Sequence, residues 1–211
     1  MGYKLILFSL FISLPLHAQF FYTRTSGSGR GDSGADGGFY FSLGAHVLLT
    51  NSSTADNTFV KERNLLAYGA DSTLAYGLSF FLFGASMEYT IYDQMTDSTE
   101  VSNINTAGKM LNFAASLGLD INFVKLFYHH HFSSKYNFSN KNASGNKVEL
   151  SSPTSSFTLE AKFPFGKTQY LSVLYKKVTF DNANQNGADE KLVSTSEITF
   201  EGYGLGYGFV F

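Results

Sequence analysis

The sequence predicts an all-β fold, an eight-stranded antiparallel up-and-down transmembrane β-barrel over residues 39–211, on three observations. Apolar and polar residues alternate with period two along the chain, and no amphipathic helix can be drawn for more than a turn or two. Long polar connections alternate with short, partly apolar ones, the plan of a meander whose two ends differ. The apolar face is too bulky for the interior of eight strands, so it must turn outward.

Composition sets the bounds. The 211 residues include 22 Phe, 13 Tyr and 20 Gly but only 3 Pro, a load of aromatics that a disordered chain does not carry. A formal net charge of -2 and scattered Lys and Arg offer no basic stripe, which sets nucleic acid aside as a partner. With no Cys, disulfides, CxxC redox pairs and Cys-based zinc sites are excluded.

From the N-terminus, residues 1–18 read as a signal peptide: Lys4, then an apolar run over 5–14, Pro15, and Ala18 at the cut. That run is half the roughly 20 residues a spanning helix needs. Residues 19–38 form a linker rich in Gly and Ser. Its Arg30-Gly31-Asp32 triplet is expected by chance in such a composition.

The first strand sets Phe39, Phe41, Leu43, Ala45, Val47 and Leu49 against Tyr40, Ser42, Gly44, His46 and Leu48. The second sets Leu74, Tyr76, Leu78 and Phe80 against Ala75, Gly77 and Ser79; the third sets Phe83, Ala85, Met87, Tyr89 and Ile91 against Gly84, Ser86, Glu88 and Thr90. The fourth alternates over 111–122, the fifth runs over 125–137, the sixth over 157–163 and the seventh, less cleanly, over 169–180. The eighth carries Tyr203, Leu205, Tyr207, Phe209 and Phe211 on one face and Gly204, Gly206, Gly208 and Val210 on the other. Long connections fall at 51–63, 96–108, 139–150 and 181–191. The N-x-[ST] matches at Asn51, Asn137 and Asn142 mean only polar loop.

Closing such a meander removes its exposed edges. A soluble barrel hides large apolar residues within, whereas a membrane barrel turns them to lipid. Columns of Phe, Tyr and Leu do not fit inside eight strands, and the Gly, Ser, Thr and Asn face does. Each segment also supplies the roughly 9 to 11 residues a tilted spanning strand needs. A helical membrane protein fails, because the longest charge-free stretch, between Asp71 and Glu88, is too short.

Phe211, preceded at alternate positions by Phe209, Tyr207, Leu205 and Tyr203, resembles the terminal-strand signal of bacterial outer-membrane β-barrels. In pattern the resemblance covers the whole barrel; it is to the small eight-stranded class that includes OmpA-like, OmpX-like and OmpW-like proteins, with no motif that assigns a subfamily. It implies a Gram-negative-type envelope, reading of the last strand by the barrel assembly machinery, a periplasmic linker at 19–38 and four long connections facing outside. Outer-membrane lipids and lipopolysaccharide are the implied partners, and the chain is read as a monomer.

Three constellations carry candidate chemistry. His129 and His131 share a face with Lys125 and Phe127, and two histidines at i and i+2 can chelate a metal beside Glu88 or Glu160. Two ligands without a third are a weak signal, and capping of a lumenal hydrogen-bond network is the favoured reading. His131-Phe132-Ser133 is similar in spacing to the His and Ser of outer-membrane lipid A deacylases of the PagL type, where a Glu completes the triad. Ser134, Lys135 and Tyr136 depart from the context expected after that Ser, and Glu149 and Glu160 leave the acid unassigned. Glu88, Asp120, Glu160, Lys162 and Lys176 would lie in the lumen, lining a path or locking as a salt-bridge plug; eight strands favour the plug.

The expected role is therefore structural or surface-facing: an integral barrel with a largely plugged polar lumen and no cofactor. A narrow pore for small solutes or apolar molecules competes, because Gly204, Gly206 and Gly208 favour internal space. A lipid A-modifying hydrolase is the second alternative.

Overall fold

The computed structural model describes residues 38–54, 63–94, 107–121, 123–139, 145, 147–165, 167–185, 188–191 and 197–211. The signal peptide, the linker up to residue 37, the Arg30-Gly31-Asp32 triplet and Asn142 lie outside the described residues. Nine strands form: β1 (Gly38–Thr54), β2 (Arg63–Leu78), β3 (Phe81–Gln94), β4 (Gly108–Ile121), β5 (Val124–Phe138), β6 (Val148–Phe165), β7 (Gln169–Gln185), β8 (Ala188–Lys191) and β9 (Ile198–Val210). Each barrel strand pairs antiparallel with its neighbours, and the β1–β9, β7–β9 and β6–β7 ladders close the ring. Eight strands make the barrel. The short β8 folds back on β7, inside what the sequence presents as the fourth connection.

At one end β2–β3, β4–β5 and β6–β7 are joined tightly, with Leu78 opposite Phe81 and Ile121 opposite Val124. Ser79 sits in the first of these turns at φ 57, where a two-residue hairpin asks for positive φ. Turn residues also bond across the rim: the Asp120 N–H donates to the Phe80 carbonyl at 2.8 Å, and the Val210 N–H to that of Thr168 at 2.7 Å.

The predicted faces are those observed over the half of the barrel nearest these turns. Leu43, Val47, Leu74, Phe83, Met87, Leu117, Tyr128, Leu159, Leu171, Tyr203 and Leu205 project from the wall, while Ser42, His46, Thr73, Ser116, Thr158 and Ser172 point in and are buried. Beyond that half the polarity reverses. Outward positions become Asn51, Asn64, Asp93, Lys109, Asn137, Glu149, Lys177 and Glu201, many of them register partners around the ring. Inward positions become Leu48, Leu65, Met110, Leu150, Val178, Phe180, Ile198 and Phe200 around Tyr92 and Tyr136, all fully buried. Rings meet across the lumen, Tyr136 against Phe200 at 4.5 Å and Tyr92 against Phe200 at 5.4 Å between centroids. A smaller cluster of Tyr40, Ala75, Leu82 and Phe127 closes the short-turn end.

The reversal explains where the strands outrun the sequence reading. β1 runs through Thr54, β2 begins at Arg63 rather than near Leu74, and β7 continues to Gln185. In Leu65-Leu66-Ala67-Tyr68, Leu65 and Ala67 face in while Tyr68 projects outward, so both faces are apolar and the alternation vanishes from the sequence.

The glycine column of β9 leaves no open space. A Cβ at Gly208 or Gly44 would collide with the Tyr170 hydroxyl, and one at Gly206 with the Ser172 hydroxyl. Internal room inferred from Gly204, Gly206 and Gly208 is instead a slot taken by the side chains of β7 and, at Gly204, by Leu48 and the β1 backbone.

Candidate functional site

Between the two apolar clusters the lumen is crossed by a girdle of charged and polar side chains. Alternation delivers one or more from every barrel strand except β9, and because the strands form a closed ring these side chains converge on the axis. Lys176 on β7 donates to Glu88 Oε1 on β3 at 2.9 Å, and Asn112 and Thr90 donate to the same carboxylate at 3.0 and 2.9 Å. His46 on β1 places Nε2 3.2 Å from Glu88 Oε1 and Nδ1 3.3 Å from Asp71 Oδ1. A ring with both nitrogens facing carboxylates satisfies both only when each nitrogen carries a hydrogen. Lys162 on β6 reaches Asp71 at 3.9 Å and Glu160 at 3.4 Å, donates to Ser42 at 3.0 Å, and lies 4.8 Å from the centroid of the Tyr170 ring. His129 on β5 contacts Glu160 Oε2 through Nε2 at 3.3 Å, and Ser116 and Ser86 through Nδ1 at 2.8 and 3.1 Å.

Such a girdle holds the ring together from inside. Each buried charge has lost its water, so an opposite charge and further hydrogen bonds must replace it, and removing one partner strands the other. The two lysines and three carboxylates leave one negative charge, which a single additional proton balances; His46, between two carboxylates, is placed to hold it.

Of the five predicted lumenal charges, Glu88, Glu160, Lys162 and Lys176 meet here. Asp120 does not: it sits at the short-turn rim in an ion pair with Lys125, its register partner across β4–β5. Asp71 and His46 are members that sequence reasoning missed. The alternation of the second strand is visible in the sequence only from Leu74, so Asp71 falls outside it, while the alternation of the first strand places His46 inward.

The two candidate metal ligands part ways. His129 belongs to the girdle, whereas His131 faces Thr158 at 3.1 Å through Nε2. Among the described residues no group of three or more His, Asp or Glu is placed to hold a metal ion.

The deacylase-like pair separates as well. In the β4–β5 ladder Phe113 pairs with Ser133 and Ala114 with His131, so Phe132 is an extra residue, a bulge. His131 points in and is buried, Ser133 lies opposite the outward Phe113, and Ser134 takes the inward position. A bulge cancels the i, i+2 rule, and the two residues no longer share a face. The hydrogen-bond order of a Ser-His-Glu relay does occur elsewhere, as Ser116–His129–Glu160. There Lys162 shares the carboxylate oxygen, Ser116 is buried, and the adjoining cavity lined by His46, Glu88, His129, His131 and Glu160 measures about 30 Å³. That is the volume of one or two waters, too small for an acyl chain. The three side chains tie β4, β5 and β6 together across the lumen.

On β9, Tyr203, Leu205 and Tyr207 project outward, Phe209 follows half-buried on the same face, and Phe211 ends the chain.

No family model matches the sequence, and no curated protein matches it. Among solved structures, the crystal structure of Neisserial surface protein A (NspA) is similar at 12% identity, over 82% of this chain and 97% of that one, with a TM-score of 0.45. A likeness of that size carries no argument, and the barrel stands on its own ladders.

Proposed function

We propose that this chain is an integral bacterial outer-membrane β-barrel with a sealed lumen and a structural or surface-interaction role. The observation that carries the reading is the belt of exposed Phe, Leu, Tyr, Val and Met around a closed ring of ladders. Soluble monomers rarely expose contiguous apolar patches beyond a few hundred Å². A closed antiparallel ring also satisfies its backbone internally, which a bilayer demands. The belt covers Phe39 through Leu49 on β1, within the roughly 9 to 11 residues that span hydrocarbon.

Aromatic rings gather at both edges of the belt. Phe39 and Tyr76, Phe80 and Phe81, and Phe165 and Tyr207 pair at the short-turn edge, and Tyr128, Phe157, Tyr175 and Tyr203 run along the other. Such girdles belong at membrane interfaces. The short turns then lie on the periplasmic side, and the long connections face outside. The outward aromatics of β9 ending at Phe211 are the signal offered to the barrel assembly machinery, and the barrel works as a monomer among outer-membrane lipids and lipopolysaccharide.

Two apolar clusters and the charged girdle oppose conduction, so function falls to the outer rim and wall rather than to a pore. Refolding into lipid vesicles should give a heat-modifiable gel mobility, and the same preparation should stay silent in a planar bilayer. Discrete current steps would replace the sealed lumen with the pore reading, and a protein that never inserts would overturn the membrane reading.

A further inference from the structure

The wall is continuous except at one place. The β5–β6 ladder runs from Lys125 opposite Lys162 to His130 opposite Phe157, then resumes at Tyr136 opposite Leu150. Between them residues 131–135 face residues 151–156 without register. On one flank β5 bulges at Phe132 against β4; on the other the β6–β7 register shifts between Pro153 and Ser155. Three irregularities on three consecutive ladders converge there, and Pro153 brings no N–H of its own. Along this stretch β5 and β6 share no register pairs, an irregular backbone that bare hydrocarbon does not tolerate.

Height identifies what lies outside the break. It begins just above Phe157, a member of the line Tyr128–Phe157–Tyr175–Tyr203 whose neighbouring centroids are 5.9, 5.9 and 5.0 Å apart. That line marks the hydrocarbon edge, so the break sits at the level of lipid headgroups. Two outward lysines flank it: Lys135, opposite Leu111, and Lys109, opposite Asn137. The acid beside Lys135 is Glu149 at 3.6 Å, with the Lys135 side chain 58% exposed, a loose surface pair that a better anion displaces. Directly below, Phe132 stands 64% exposed on its bulge, beside Phe113 and above Ala115 and Leu117 of β4.

We propose that this patch binds a phosphorylated, acylated lipid of the outer leaflet, its phosphate held by Lys109 and Lys135 and its chain lying along Phe132 and the β4 wall. The inference rests on the membrane reading above and adds the site and the chemistry recognised. Lysine supplies point charge to phosphate, and the exposed ring gives an acyl chain a surface to pack against.

The test places the full chain in phosphatidylcholine nanodiscs doped with diphosphoryl lipid A, counts retained lipid A by native mass spectrometry, and checks insertion by heat-modifiable mobility on the same sample. Retention should fall at least fivefold in K109Q/K135Q, should fall in F132A with the charge intact, and should stay unchanged in K167Q, whose lysine lies at the short-turn end. Lipid A stripped of its phosphates should not be retained. Equal retention by the inserted double variant, or of the dephosphorylated lipid, would overturn the site; failure to insert would overturn the membrane reading and the site with it.

Discussion

Below the level of Leu49 and Tyr203 the strands carry Phe, Leu and Tyr outward and Ser, Thr, His and charge inward; above it the same strands carry Asn, Lys and Glu outward and close an apolar cluster around Tyr92, Tyr136 and Phe200. On the membrane reading proposed above, one half is patterned for a hydrocarbon solvent and the other for water, within single uninterrupted strands such as β1 (Gly38–Thr54). The hydrophobic effect acts only where water is the competitor, so it drives residues inward above the boundary and gives no such drive below it. In the lower half the barrel must be held from within by polar pairing, which is the place of the Glu88–Lys176 and Glu160–Lys162 contacts. The outer half needs no such pairing and packs like the core of a small soluble protein.

Substitutions that carry one half's pattern into the other show which rule governs each half. The largest effect is expected in the outer cluster, where Phe200→Ala opens a hole among rings packed from three strands and should cost about 3–5 kcal/mol. Denaturant unfolding of the vesicle-inserted barrel, followed by circular dichroism, measures it. A loss under about 1 kcal/mol would mean that the cluster is loosely packed. In the lower lumen, Glu88→Gln leaves Lys176 buried without its counter-charge and should cost about 3 kcal/mol or more. Glu88→Gln combined with Lys176→Met should recover much of that loss, and an unchanged double variant would show that the ion pair is not the strut.

On the outside, Leu117→Arg in the belt should cost about 2–4 kcal/mol, whereas Asn51→Arg above the belt should shift stability by no more than about 0.5 kcal/mol. Equal effects in vesicles would erase the boundary between the halves. The smallest change lies at the turn: Ser79→Gly relieves the positive φ and should raise stability by a few tenths of a kcal/mol, read as a small rise in the unfolding midpoint.

Sequence periodicity made the lower half legible because one face there is apolar and the other is not, as in the run from Phe39 to Leu49. It concealed the outer half because the apolar face changes sides: Leu48 packs inward beside the outward Leu49, so both faces are apolar there, and at Val178 and Phe180 the apolar residues of the alternation face inward instead of outward although the strand continues. Glu88, Glu160, Lys162 and Lys176 were legible as lumenal charges from alternation alone. Asp120 misled, because a residue of inward parity at a strand end pairs with its rim neighbour Lys125 rather than reaching the axis. His131 and Ser133 misled because a bulge leaves no mark in one sequence, and the single extra residue at Phe132 turns Ser133 to the other face.

The boundary between the halves is open to one direct measurement, and a chain without cysteine is well suited to it. Single cysteines at the outward positions of β1 (Leu43, Val47, Leu49, Asn51 and Ser53) would be spin-labelled in vesicles and their exposure compared to oxygen, which partitions into lipid, and to a water-soluble nickel chelate. Oxygen access is expected at Leu43 and Val47, a crossover at Leu49, and chelate access at Asn51 and Ser53. Chelate access along the whole strand would contradict a membrane-embedded belt, and oxygen access through Ser53 would contradict a water-exposed outer half.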